Sequence, residues 1–281
     1  MNNSRKKQIV IVTGIVLLVG LLFTRDIKGL VKPKEEVSAE AKETQPSALS
    51  LTEVSATAKN LVSNAMAKEI TALEHTYQSA KGATKVEQAK VLAQKWDDLE
   101  QAVPSAMYLE DAANQEPSMG NWLNAGSRFL KAFDNTQDSL VKPIMLQKAH
   151  QSYQKAIAID STDADAKTGL GITIVNGMGA PMEGIAMLLD VVKKDPKNFK
   201  ANMNLGMFAV KSGQFDKAII RFNDIVKNIK ATPDAYFYLA TAYENLGKNQ
   251  EAVEAYLQSK KLAANPTLSS FIDKKVAELK K

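Results

Sequence analysis

The chain has 281 residues, 45% of them hydrophobic and 24% charged, a composition that supports a packed body and excludes a wholly disordered polymer. Its net charge of +5 is unevenly placed: positions 1–34 hold seven bases and one acid, leaving 29 bases against 30 acids in the remainder. This balance gives no support for a phosphate-binding surface on the body, and nucleic acid is not an expected partner. The absence of cysteine rules out disulfides, thiolate nucleophiles and cysteine-ligated metals, and leaves the compartment open.

The segment "RKKQIVIVTGIVLLVGLLFTR" runs from Arg5 to Arg25 and is uncharged from Gln8 to Thr24. As a helix that run spans about 25 Å at 1.5 Å per residue, a little less than a hydrocarbon core of about 30 Å. Snorkelling by Lys7 and Arg25 covers the difference. Signal cleavage requires a small-x-small site directly after the apolar stretch. Instead "LLFTRDIKG" comes next, and Ala39-Glu40-Ala41 lies too far from Phe23. Residues 1–7 are thus expected to be a short basic tail and 8–24 a transmembrane signal anchor. Arg5, Lys6 and Lys7 precede the run while Arg25, Lys28, Lys32 and Lys34 come after it, so the positive-inside count does not fix the orientation. Long domains after a first hydrophobic segment translocate largely regardless of charge. The expectation is a single-pass protein of a bacterial inner membrane with its C-terminal domain in the periplasm.

Residues 25–50 read as a flexible linker, since "PKEEVSAEAKETQPSALS" is poor in large apolar side chains. Residues 51–80 read as one long helix, with Leu51, Val54, Ala58, Leu61, Val62, Ala65, Leu73 and Tyr77 mostly at steps of three and four. The heptad breaks at Lys68 and Glu69, which favours docking onto the first repeat over a coiled-coil stalk.

A repeat then dominates. Gly206 and Ala240, Gly213 and Gly247, Ala218 and Ala252, and Phe222 and Tyr256 all stand at positions i and i+34, the mark of units that bury a core only by stacking on one another. Leu170-Gly171 precedes Leu205-Gly206 at nearly the same offset, with one extra residue in "NGMGAPMEG". In the preceding unit, the interval from Gly126 to Ala149 exceeds that from Gly206 to Ala218 by eleven positions, which implies either an extended first helix or an excursion over Asp134 to Pro143. About five units are expected over residues 86–266: 86–118, 119–163, 164–198, 199–232 and 233–266. Residues 267–281 place Leu268, Phe271, Ile272, Val276 and Leu279 on one face and read as a solubilising capping helix.

Tyr236, Leu239, Ala240, Tyr243, Gly247, Ala252 and Tyr256, with Leu205, Gly206, Gly213, Ala218 and Phe222 one unit earlier, resemble the W-x2-L-G-x2-Y and A-x3-F pattern of tetratricopeptide repeats. Asn202 and Ala209 depart from it where bulky aromatics are usual. The resemblance covers about Val86 to Pro266 and implies an all-α solenoid of helical hairpins, here behind a single N-terminal transmembrane helix. It also implies that the first helix of each unit lines a concave surface for a protein or peptide. On that surface Leu123 and Ser127, Thr168 and Ile172, Met203 and Met207, and Phe237 and Thr241 would form an i, i+4 column, with Lys200, Lys211 and Asn245 nearby. A partly apolar trough of this kind suits a peptide or an amphipathic helix. The lysine and asparagine clamp by which some members hold chaperone carboxylates is missing, because Met203, Met207, Phe237 and Thr241 stand in its place.

Chemistry finds no footing elsewhere. His75 and His150 lack metal-ligand spacing, and "GMGAPMEG" breaks the GxGxxG pattern at Met182 and comes after a helix. Asp97 and Asp98 are adjacent on a helix and diverge. The expectation is a non-enzymatic scaffold without a cofactor, tethered in the bacterial envelope to assemble or escort proteins. The competing reading is a cytosol-facing receptor for chaperones or precursor proteins.

Overall fold

The computed structural model describes residues 49–281. The expected tail (1–7), anchor (8–24) and nearly all of the linker (25–50) lie outside the described residues. Among the described residues, no helix is long and apolar enough to cross a membrane.

Residues 51–80 form two helices, α1 (Leu51–Lys59) and α2 (Asn64–Ser79), in place of the single long helix expected. The break has a local cause. Asn60 and Leu61 donate to Thr57 and Ala58 in a tight turn, and Ser63 then starts a new helix by accepting the Met66 N–H at 3.3 Å. Antiparallel pairs make up the body: α3 (Gly82–Asp98) with α4 (Ala102–Gln115), α5 (Met119–Asn135) with α6 (Val141–Ile159), α7 (Ala164–Thr173) with α8 (Pro181–Lys194), α9 (Phe199–Lys211) with α10 (Phe215–Asp224), and α11 (Pro233–Asn245) with α12 (Asn249–Leu262). A last helix, α13 (Pro266–Leu279), closes the end. Single π-helical turns extend α7 through Ile174–Met178 and α10 through Ile225–Ile229. The extra residue of the third unit sits in the first of these turns, where Gly177 takes a φ of 134°. The lengthened second unit holds no long irregular excursion. Instead α5 runs to 17 residues and α6 to 19, against 13 for α9.

Side-chain caps set the start of the first helix in the last four pairs. Ser118, Asp163, Asn198 and Thr232 each accept the backbone N–H three residues on, and Asn265 does the same for α13. Each such cap contributes about 1 kcal/mol. Second helices begin without one and take their positions from the turn before them. Gly213 and Gly247 close those turns at φ 73° and 69°, a left-handed conformation open to glycine at little cost. Glu100 holds the equivalent place after α3 at φ 58°.

The core is a chain of clusters along the stack, each shared by neighbouring pairs: one over α1–α4, one over α4–α9 and one over α9–α13. Aromatic rings from second helices seat on glycines of first helices. A Cβ on Gly206 would lie 2.6 Å from the Phe222 ring, and one on Gly169 would lie 2.2 Å from Tyr153. Successive first helices touch, α5 with α7, α7 with α9 and α9 with α11, whereas no two second helices of successive pairs approach as closely among the described residues. The stack therefore curves with its first helices inside.

At the N-terminal end, α1 and α2 pack on the first pair through a polar latch. Glu74 accepts hydrogen bonds from Lys59 Nζ at 2.6 Å, Tyr108 Oη at 3.0 Å and the buried Ser55 hydroxyl. Tyr77 donates to Asp111 at 2.6 Å and meets Tyr108 edge to face. Burial alone would raise the pKa of Glu74, but the hydrogen bonds from Lys59, Ser55 and Tyr108 outweigh it and hold the carboxyl below its ordinary value of 4.5.

Gly169→Ala is expected to lower the urea midpoint. Tyr153 is fully buried and has little room to yield, and overpacking costs about 1–3 kcal/mol, against a helix-propensity gain of about 1 kcal/mol. Glu74→Gln is expected to loosen α1 and α2 by about 1–2 kcal/mol at pH 7, read as faster hydrogen exchange over residues 51–79. Because the folded pKa of Glu74 is depressed, its contribution is present above the unfolded value of about 4.3 and is lost as pH falls through the folded value. The difference between wild type and variant should accordingly shrink below about pH 4.

Candidate functional site

The inner face is built from first helices, but the column expected there is mostly closed. Thr168 is fully buried, Ile172 is 8% exposed and Met203 is 7% exposed, all within the packed interior. The reason is curvature: where first helices press together on the inside, an i, i+4 column along the seam becomes core. Met207, Leu123 and Phe237 are half-buried against the same clusters. Ser127 is exposed and donates to the Asn124 carbonyl at 3.0 Å.

Phe237 lies under the last helix. Its ring centroid is 5.9 Å from that of Phe271 on α13 and 5.6 Å from Tyr256 on α12. Beside it, Thr241 donates to the Phe237 carbonyl at 2.9 Å and Asn245 Nδ2 donates to the Thr241 carbonyl at 2.8 Å. Glu244 accepts from Tyr256 Oη at 2.6 Å and Lys275 Nζ at 2.7 Å. Burial works against the ionised form of Glu244, yet these two donors bring its pKa below the ordinary carboxylate value.

The open polar side chains among the expected residues are Ser127, Lys211 and Asn245, with Lys200 half-buried. Lys211 Nζ rests 5.7 Å from the centre of the Phe208 ring. Asp134 on α5, Lys142 on α6 and Tyr238 on α11 fall outside the expected column. Desolvation raises the Asp134 pKa, and the positive fields of Lys211 and Lys142 pull it part of the way back. Desolvation also raises Tyr238, with further contributions from Asp234 and Asp134. Tyr238 stacks on Phe222 at 5.8 Å.

His150 Nδ1 lies 2.9 Å from Thr173 Oγ1 at the junction of α6 and α7, and burial lowers its pKa. His75 is exposed on α2. Among the described residues, no group of three or more His, Asp or Glu side chains could hold a metal ion.

The family description for tetratricopeptide repeats matches residues 209–267. The solved structure of TTC0263, a thermophilic tetratricopeptide protein of Thermus thermophilus, superposes with a TM-score of 0.56 at 15% identity, over 68% of this chain and 99% of that one. The described body has the tetratricopeptide-repeat fold. PilW, described as a widely conserved type IV pilus biogenesis factor, shares this fold with a TM-score of 0.52 at 20% identity, over 69% of this chain and 88% of that one. No curated protein matches the sequence. Stacked helical repeats of this kind form extended concave surfaces.

Met203→Lys is expected to cost about 3 kcal/mol or more, because it buries a charge in a packed cluster. Lys211→Glu and Asn245→Lys are expected to shift stability by no more than about 0.5 kcal/mol. Chemical denaturation of the three variants checks both statements and identifies which substitutions are safe probes of binding.

Proposed function

We propose that this protein is a membrane-tethered scaffold that holds another protein on the inner face of its solenoid in the bacterial envelope, serving an assembly, escort or secretion complex. The observation that carries the scaffold reading is the inner face itself, where Lys211 rests over Phe208 and Asn245 stands open two turns beyond the half-buried Phe237 on α11. The tether rests on the uncharged run from Gln8 to Thr24 between Lys7 and Arg25. The linker rich in Glu, Lys, Ser and Pro would let the body move clear of the bilayer.

A second orientation has one observation in its favour. Four bases come after the apolar run and three precede it, and the positive-inside bias would then keep the solenoid in the cytosol as a receptor for chaperones or precursors.

Two measurements test the proposal. Protease added outside spheroplasts is expected to remove a C-terminal tag, and protection of the tag in intact spheroplasts would establish the cytosolic orientation instead. Crosslinking in membranes followed by mass spectrometry is expected to capture a protein partner with the wild type and to lose it with Lys211→Glu plus Asn245→Lys. Equal capture by both would remove the inner face as the binding surface.

A further inference from the structure

Two hydroxyls at the seam between α5 and α7 are buried without a hydrogen-bond partner among the described residues: Tyr153 Oη and Thr168 Oγ1, on residues 1% and 0% exposed. The tip of the Tyr153 ring enters that seam. A Cβ on Gly126 of α5 would lie 3.0 Å from its Cζ, and one on Gly169 of α7 would overlap it. The ring comes from α6, a second helix, so its hydroxyl, one bond beyond Cζ, is directed between the two first helices toward the inner face. Thr168 immediately precedes Gly169 on α7.

Both groups lack partners that their counterparts have. Tyr77, Tyr108 and Tyr256 are also buried, and they donate to Asp111, Glu74 and Glu244 at 2.6, 3.0 and 2.6 Å. Tyr256 holds the place in the fifth unit that Tyr153 holds in the second. Its acceptor, Glu244, stands four residues after Ala240, whereas Leu130 stands four residues after Gly126. The fourth unit avoids the problem with Phe222. Thr71, Thr76 and Thr241 donate to the carbonyl four residues before them at 2.8, 3.1 and 2.9 Å, but Thr168 makes no such bond to Ala164. A buried hydroxyl left unpaired is destabilising, and phenylalanine and valine would fill the same space without that penalty. Such groups call for a partner from outside the fold.

We propose that the α5–α7 seam is a subsite of the inner face that takes a primary carboxamide, the side chain of an asparagine or glutamine in the segment held on the solenoid. A carboxamide ends in an acceptor oxygen and a donor NH2, so it can accept from the Tyr153 hydroxyl and donate to that of Thr168. Leu123, three residues before Gly126 and half-buried on the cluster that holds Tyr153, is the side chain that turns aside to admit it. Charge separates the amide from an acid of the same shape. Asp165 is exposed one turn before Thr168 on α7 and repels a carboxylate. Burial, and then the field of Asp165, also raise the Tyr153 pKa, which keeps the phenol protonated and able to donate. A site that must pair its own buried polar groups rejects an analogue unable to pair them. The subsite rests on the inner face being the binding surface of the proposed scaffold, and it names one feature which that surface reads.

Propionamide is the probe, and propionate is the charged analogue of the same size. Full-length protein carrying tyrosine labelled with carbon-13 at Cζ has seven tyrosines to resolve by nuclear magnetic resonance, and Tyr153→Phe identifies the relevant signal. Propionamide is expected to shift that signal saturably, and propionate to leave it in place. Thr168→Val is expected to weaken the response about tenfold, the loss of one hydrogen bond. Both Tyr153→Phe and Thr168→Val are expected to raise the melting midpoint by ~2–4 °C, because each removes an unpaired buried hydroxyl, so both variants remain folded. A lower midpoint in either would show that its hydroxyl is already bonded in the folded protein and would overturn the premise. No saturable shift, an equal shift with propionate, or an unweakened response in Thr168→Val would overturn the subsite. The titration needs no protein partner, so the two readings fail separately: an unresponsive Tyr153 beside a partner captured by crosslinking removes the subsite alone, and a responsive Tyr153 with no captured partner removes the scaffold and leaves a site for a small amide.

Discussion

The seating of an aromatic ring from one helix on a residue without bulk in another sets the geometry of the whole body. Phe222 on Gly206, and Tyr153 between Gly126 and Gly169, bring helices together at a separation that a larger side chain would forbid. No hairpin can bury such a ring alone, so each unit depends on the next, and the constant spacing of the repeat comes from the need to make the same contact again. The glycine turns at Gly213 and Gly247 have the same cause. They return the chain within a few residues, so that the ring of the second helix meets the gap in the first. Where the turn residue is Glu100, the left-handed conformation is retained, which shows that the position demands the conformation more strongly than it demands glycine.

A stack of this kind has two ends that would otherwise expose core, and both are closed by the same set of groups. At one end Glu74 gathers Tyr108 and Lys59; at the other Glu244 gathers Tyr256 and Lys275. In each case the tyrosine belongs to a second helix of the repeat body and the lysine comes from a flanking helix. The apolar part of each contact is modest: Ile70 is buried at the first end, and Ile272 and Val276 at the second. Charge-assisted hydrogen bonds, individually stronger than neutral ones, supply directionality that a small apolar face lacks. The flanking helices thereby acquire one register on the solenoid.

The parts legible in the sequence are those that depend on contacts within a unit or between adjacent units. The repeat spacing, the glycine turns and the ring-on-glycine seats are local, and they appear as fixed offsets. The inner face is harder to read because its exposure depends on rotation accumulated over several units. The column through Thr168, Ile172 and Met203 has the right spacing for a helix face, but curvature folds that face into the seam between first helices. Residues 51–80 carry helical spacing throughout, yet Ser63 offers the backbone a better partner than continuation does.

Asn202 shows how a departure from the repeat is accommodated without loss of packing. A bulky aromatic is usual at this place, and a lone amide there would leave a hole and orphaned polar atoms. Arg221 from α10 reaches it instead, donating from Nη1 to Asn202 Oδ1 at 2.6 Å, while Asn202 Nδ2 donates to the carbonyls of Pro196 and Asn198. Its acceptor and donor groups are used, and the guanidinium stem contributes bulk that a ring would have provided. Burial lowers the pKa of Arg221, offset in part by Asp224, but a guanidinium remains charged under such a shift. Truncating either partner would strand the other in a half-buried site, so the two positions are coupled. The fourth unit therefore keeps the backbone of the repeat while exchanging its apolar plug for a satisfied polar pair.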